Sequence, residues 1–353
     1  MDYSQLLEKF LAVTVEKNAS DLHLVAGYPP IIRINSELWA IPKEEPLAAR
    51  DSQGLAFALM TAEQQNQFLK FKEIDFSYAF RGRERFRTNI FFQKGCISCA
   101  LRLIPDKIRT ISELNLPPVM QRFIEAEQGF VLITGPASHG KSTTLAAFID
   151  AINHSRCDHI ITIEDPIEYL FLPDASVIEQ RELSSDTYSF SMALRSMFRQ
   201  DPDVIMIGEM RDSETIATAL TAAETGHLVF ATLHTNSASQ AIHRIVDSSP
   251  AEQQSQIRAQ LSSSLLGIVS QRLIPSSKGG MVPACEVLFN NFAVGNLIRE
   301  NKIHEIPLVI DTSSKDGMIS LNKSLANLVK SGDISLQKAM SYSLNPQELE
   351  ALI

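Results

Sequence analysis

Gly135, Gly140, Lys141 and Ser142 stand at the spacing G-x-x-x-x-G-K-S, within Gly135-Pro136-Ala137-Ser138-His139-Gly140-Lys141-Ser142-Thr143. The chemistry that this spacing serves is phosphate binding. Glycines allow backbone N–H groups to turn inward on an anion, the lysine reaches the β- and γ-phosphates, and the serine hydroxyl is a ligand for Mg²⁺. An apolar run, residues 130–134, precedes the loop, and a helix-forming run, residues 144–149, follows it. The loop therefore opens a helix whose N-terminus also favours an anion. Residues 135–143 are the candidate cradle for a nucleoside triphosphate.

Binding is not hydrolysis, which also needs a positioned water and groups to meet developing charge. The apolar residues 204–207 run into Gly208-Glu209-Met210-Arg211-Asp212. This places Glu209 at the carboxyl end of a strand, where α/β sheets build their sites, as the candidate to orient or deprotonate the water. Gly208 stands where an aspartate is more usual, so Mg²⁺ falls to other carboxylates or to water. Those carboxylates are available in Glu164-Asp165-Pro166-Ile167-Glu168. Pro166 disfavours helix at Asp165 and is expected to turn Glu164 and Glu168, with Ser142, toward one metal site; a solvated acidic turn is the alternative. His227 and His234 bound a further apolar run. Either has the hydrogen-bonding capacity to sense a γ-phosphate.

Apolar strands at 130–134, 159–163, 203–207 and 228–233 alternate with helical stretches such as 215–225, which Gly226 closes. That alternation predicts a mostly parallel α/β sheet. The first part of the chain reads as a smaller α+β module, with amphipathic residues 6–17, strands near 30–34 and 85–92, and a polar helix at 62–71. A domain of 1–115, with its linker, and a second of 116–353 follow. Beyond Pro250 the pattern predicts helix over 251–274 and in shorter pieces to the end.

The 353 residues suffice for two cores. No apolar run reaches the ~18 residues that span a bilayer, and no basic-then-apolar leader opens the chain, so a cytosolic protein is expected. The net charge is −9, and residues 126–353 carry 26 acidic against 16 basic side chains. That excess argues against non-specific nucleic-acid binding. Cys96 and Cys99 form a C-x-x-C within a β-like run. Residues three apart on a strand face opposite ways, so they read as strand cysteines rather than a metal or redox pair.

Ser20-Asp21-Leu22-His23-Leu24, the phosphate loop, residues 163–168, 200–212 and 225–238, and Asn296-Leu297-Ile298-Arg299-Glu300 occur in this order. Taken together they resemble the motifs of the secretion and type IV pilus motor ATPases, most closely the retraction members. The resemblance implies an α/β fold with a RecA-like core and a PAS-like N-terminal domain. It further implies a homohexamer that hydrolyses ATP with Mg²⁺ to remove pilin subunits. Such a ring is cytoplasmic, sits peripherally at the inner membrane at the pilus base, and engages a platform protein, the pilin machinery and in some systems a second motor ATPase. Nucleic acid is not among its partners.

Arg87 and Arg102 match arginines that reach the γ-phosphate of a neighbouring subunit. Arg81, Arg83, Arg85 and Arg87 alternate, so an extended segment would set them on one face; a solvated basic edge is the plainer reading. Residues 296–299 match a surface that couples hydrolysis to retraction. The chain departs from the family in two places. Ala137-Ser138-His139 replaces the T-G-S of the usual G-P-T-G-S-G-K, and Gly295 replaces the first arginine of A-I-R-N-L-I-R-E. An accessory retraction motor, a secretion ATPase and a weakly catalytic nucleotide-binding subunit remain alternatives. The paired C-x-x-C of the extension ATPases is lacking, which favours a retraction-type motor.

Overall fold

The structure is a computed structural model that describes residues 2–34, 37–82, 84–104 and 107–353. It divides into two units, residues 1–107 with 166–170, and residues 108–165 with 171–353.

The first unit holds helices α1 (Tyr3–Glu16), α2 (Ala49–Leu59) and α3 (Ala62–Phe71) and strands β1 (Asp21–Val25), β2 (Ile31–Ile34), β3 (Glu37–Ala40), β4 (Glu73–Phe80), β5 (Glu84–Gln93) and β6 (Cys96–Ile104). The sheet order is β3-β2-β1-β6-β5-β4, antiparallel throughout. Local chemistry sets the helix starts. Asp2 accepts from the Ser4 and Gln5 N–H groups, and Thr61 and Gln64 exchange side-chain and backbone bonds in a capping box. Leu7, Phe10, Leu11, Leu55 and Phe68 carry the helix faces into the core formed with Leu22, Leu24, Phe86 and Ile90.

Register on this sheet sets a polar row. Asp21 lies opposite Arg33 on one side and Arg102 on the other, and Arg102 lies opposite Arg87. Arg102 Nε donates to Asp21 Oδ1 at 2.9 Å, and Arg33 Nε lies 3.6 Å from Asp21 Oδ2. The four-arginine face is corrected here. Arg81 precedes β5 in a turn at φ +49°, its guanidinium over the Phe80 ring and bonded to Glu8. Only Arg85 and Arg87 share a strand face; Arg83 lies outside the described residues.

The second unit begins with α4 (Gln121–Ile124), β7 (Gly129–Thr134), α5 (Lys141–Ser155), β8 (His159–Glu164), β9 (Val177–Glu182), α6 (Phe190–Met197), β10 (Val204–Ile207), α7 (Ser213–Glu224) and β11 (Leu228–Leu233). It continues with α8 (Ala238–Asp247), α9 (Gln254–Ser264), β12 (Leu265–Pro275), β13 (Met281–Phe289), α10 (Phe292–Arg299), α11 (Ile306–Thr312), α12 (Leu321–Lys330), α13 (Leu336–Tyr342) and α14 (Pro346–Leu352). Its sheet order is β13-β12-β7-β11-β10-β8-β9. Every pairing is parallel except β12 with β13. Strands β7, β10 and β11 are buried along their whole length, as central strands covered by helices must be.

The helix expected over 251–274 is corrected: it ends at Ser264, and β12 follows without a break. At Gly267 an added Cβ would sit 2.3 Å from the Leu288 oxygen and 2.6 Å from the Phe123 ring, so strand and partner approach as only glycine allows. Strand β12 also outruns β7. Their pairing stops at Ser270–Thr134, whereas β12 runs on to Pro275. Farther along, Arg272 donates to the Tyr342 carbonyl at 2.7 Å, fastening α13 to this extension.

Candidate functional site

The phosphate loop leaves β7 at Thr134 and enters α5 at Lys141. Three of its residues have positive φ: Gly135 at +145°, Ser138 at +63° and Gly140 at +80°. Glycine is required at two of them. A Cβ on Gly135 would lie 2.3 Å from the Gln271 carbonyl oxygen, and one on Gly140 would lie 2.9 Å from the Gln271 side-chain nitrogen. Ser138, where the family has glycine, therefore holds a left-handed conformation that costs a β-carbon about 1 kcal/mol. Lys141 is buried, with Nζ donating to the Gly135 and Pro136 carbonyls at 2.9 and 2.8 Å. Ser142 and Thr143 follow in the first turn, half-buried.

His234, just beyond β11, joins this loop to the end of β10. Its Nδ1 lies 3.3 Å from Lys141 Nζ, and its Nε2 lies 3.3 Å from Glu209 Oε1. The ring thus bridges the ammonium and the carboxylate, one ring nitrogen toward each. Glu209 Oε2 accepts from Arg211 at 2.8 Å, and Arg211 reaches Asp165 at 3.5 Å. Burial alone would raise the Glu209 carboxyl. Its bond from Arg211 and the nearby His234 outweigh burial and hold it below the usual glutamate range. A carboxylate so held is a weak proton acceptor, and better suited to orienting a water than to deprotonating one early.

Gly208 explains why no aspartate precedes Glu209. A Cβ there would meet the Ile163 oxygen at 3.2 Å and Glu164 Cα at 3.3 Å, and the Gly208 N–H bonds Ile163 O at 2.8 Å. The buried Glu164 at the end of β8 accepts from Thr162 and Gln180 at 2.7 and 3.0 Å. Glu168 groups with the first unit, its carboxylate 3.7 Å from Arg87. His227 lies elsewhere. It precedes Leu228, which pairs with Gly129 at the far end of β7, six residues or about 20 Å along the strand from the loop. There its Nδ1 meets the Ala222 carbonyl at 2.9 Å and its ring meets Phe198 edge-on, so the structure does not bring it to the phosphate loop of its own chain.

Arg87 and Arg102 have exposed guanidinium groups on the polar row of the first sheet. On α10, Asn296 bonds Glu300 and Arg299 bonds Ser262, but Ile298 is fully buried and leaves the surface proposed for residues 296–299. At Gly295 a Cβ would face the Ser262 oxygen at 3.3 Å, with Arg299 next to it at 3.7 Å. Sequence reasoning missed Gln271, whose side chain accepts from Thr144 at 2.7 Å and donates to the His139 carbonyl at 3.0 Å. Its signal was three consecutive polar residues, Ser270-Gln271-Arg272, between apolar ones.

The model of the type II/IV secretion system protein family matches residues 89–313. The chain is 44% identical to the type IV pilus retraction ATPase PilT of Pseudomonas aeruginosa, over 98% of this chain and 99% of that protein. It is 38% identical to PilU of the same organism, over 98% and 91%. The crystal structure of the pilus retraction motor PilT with bound ADP superposes with a TM-score of 0.91 at 45% identity, covering 98% of each chain. The fold is accordingly RecA-like in the second unit with a smaller N-terminal α+β domain, and the chain is an ATPase. With its motifs matched from the first unit to α10, the chain belongs to the type II/IV secretion system protein family, among the PilT- and PilU-like motor ATPases.

Proposed function

We propose that this chain is a homohexameric motor that hydrolyses ATP at the carboxyl ends of its parallel sheet and uses the energy to retract type IV pili. The observation that carries it is the Lys141–His234–Glu209 chain. It sets a phosphate-binding ammonium, an imidazole able to register the γ-phosphate and a water-orienting carboxylate within hydrogen-bond reach of one another. Similarity over the whole length to a retraction ATPase supplies the task. The ring works from the cytoplasmic side, peripheral to the inner membrane, against a platform protein and the pilin machinery. Among the described residues no helix is long and apolar enough to cross a membrane.

In this reading residues 135–143 hold the nucleotide, with Lys141 on the β- and γ-phosphates. The hard oxygens of Ser142 and Glu164 suit Mg²⁺, directly or through water, which when bound neutralises phosphate charge. Glu168, the other carboxylate expected on the metal, groups with the first unit beside Arg87. Arg87 and Arg102 act on the γ-phosphate of a neighbouring subunit, which their exposure favours. The α10 surface that couples to the pilus is formed by Asn296, Leu297 and Arg299.

Two experiments test this. Loss of the gene in its host should leave pili that assemble but do not retract, and twitching should return with wild type but not with Glu209→Gln; unchanged pilus dynamics would overturn the motor reading. Mixing Arg87→Ala with Lys141→Ala protein should restore hydrolysis at interfaces where an intact arginine meets an intact loop. Mixed rings as inactive as the separate variants, with subunit exchange demonstrated, would remove action in trans.

A further inference from the structure

The crest of the phosphate loop is fastened to β12 by a residue that the family pattern does not supply. Past Ser270, β12 has no partner in β7, so N–H groups along that edge need other acceptors. His139 provides one: the Leu273 N–H donates to its ring Nδ1 at 2.9 Å. On β13 the residue opposite Leu273 is Pro283. The backbone of His139 is held as well, since Gln271 Nε2 donates to its carbonyl at 3.0 Å while Gln271 Oε1 accepts from Thr144 at 2.7 Å. Ser138, directly before it, is the non-glycine residue at φ +63°.

We propose that His139 is a positioning residue for nucleotide binding, its neutral ring pinning the loop crest to the Leu273 N–H and so holding Ser138 in a left-handed conformation that ordinarily favours glycine. This rests on residues 135–143 being the nucleotide site. Because Nδ1 accepts, the ring proton sits on Nε2. Protonating Nδ1 converts the acceptor to a donor facing a donor. It also adds a cation beside Lys141 at the start of α5 and Arg272 on β12, the charged groups that face the ring from these elements; Gln271, Leu273 and Thr144 are uncharged. Burial, then Arg272 and Lys141, push the titration of His139 below the usual imidazole range. The neutral ring's contribution is therefore complete above about pH 6.5 and is lost as pH falls through the lower folded value.

The test is equilibrium binding of a fluorescent ADP analogue between pH 5 and 8 by wild type, His139→Ala, His139→Asn and Lys141→Ala, each checked for folding by circular dichroism. An asparagine side-chain oxygen takes the place of Nδ1 and does not titrate. His139→Ala should bind about 5–10-fold more weakly at neutral pH, the scale of one lost hydrogen bond. His139→Asn should recover most of that loss and lack the additional acid weakening of wild type. Wild-type affinity in His139→Ala, an acid profile in His139→Asn like that of wild type, or tighter wild-type binding on acidification would each overturn the proposal. Imidazole ¹⁵N shifts of the wild type give a reading free of any variant: Nδ1 should be unprotonated at pH 7.5, and a protonated Nδ1 would refute the contact. Undiminished binding by Lys141→Ala would instead remove the site itself.

Discussion

The six-stranded and seven-stranded sheets each gather charged side chains, and they do so by different geometry. In the first, Arg33, Asp21, Arg102 and Arg87 occupy register positions on adjacent strands, so the pleat sets their spacing and Asp21 sits between two of the cations. In the second, Lys141, His234, Glu209 and Arg211 come from three separate strand ends and the loops that follow them. A row on a pleat moves only with its sheet. A cluster at strand ends can be re-aimed group by group when a phosphate arrives, which is why chemistry collects there in parallel α/β folds.

If that contrast holds, substitutions at the strand ends should act on turnover at the chain's own site, and those in the row on stability or on hydrolysis at the site of a neighbouring subunit. Lys141→Ala should take phosphate release below detection, the largest effect expected. Glu209→Gln should lower kcat about 10²-fold with little change in nucleotide affinity, the scale of losing a group that positions the attacking water. Wild-type hydrolysis by that variant would remove Glu209 from the reaction. Ser138→Gly should relieve the positive φ and tighten nucleotide binding roughly fivefold, or ~1 kcal/mol; unchanged affinity would show that the loop bears serine without strain. Smallest is Asp21→Asn, which should reduce stability by about 1 kcal/mol, because Arg102 is mostly exposed and solvent already screens it. Thermal melting checks this, and nucleotide affinity should stay as in wild type. A fall in affinity would erase the distinction between the two regions.

The parts that were legible from sequence are those whose pattern is local. Buried strands such as 228–233 and the capped helix at 62–71 appear with the boundaries expected of them, because burial on both faces and a Thr-x-x-Gln box leave little choice of structure. The strand of 265–275 was not legible. Its Leu, Ile and Val residues suit a buried helix equally well, and what makes it a strand is pairing with β7, more than a hundred residues away, and with β13, whose partners lie 6 to 22 residues on. The same reason hid Gln271, since a polar residue in a run taken for helix has no evident partner until the phosphate loop is folded beside it. Ile298 shows the reverse error. A motif match says which residues recur, not which way a helix turns them.

The attachment of Arg272 to the Tyr342 carbonyl changes what the end of the chain is for. Helices α12 to α14, read along the sequence, look like a tail that could be shortened or replaced without cost. In space they hold one end of the strand whose neighbouring residues, Gln271 and Leu273, bond His139 in the 135–143 loop. A homologue, tag or truncation that alters the last twenty residues thus acts on the 135–143 loop from behind. Purified proteins that differ only at that terminus should not be assumed to share one affinity for nucleotide.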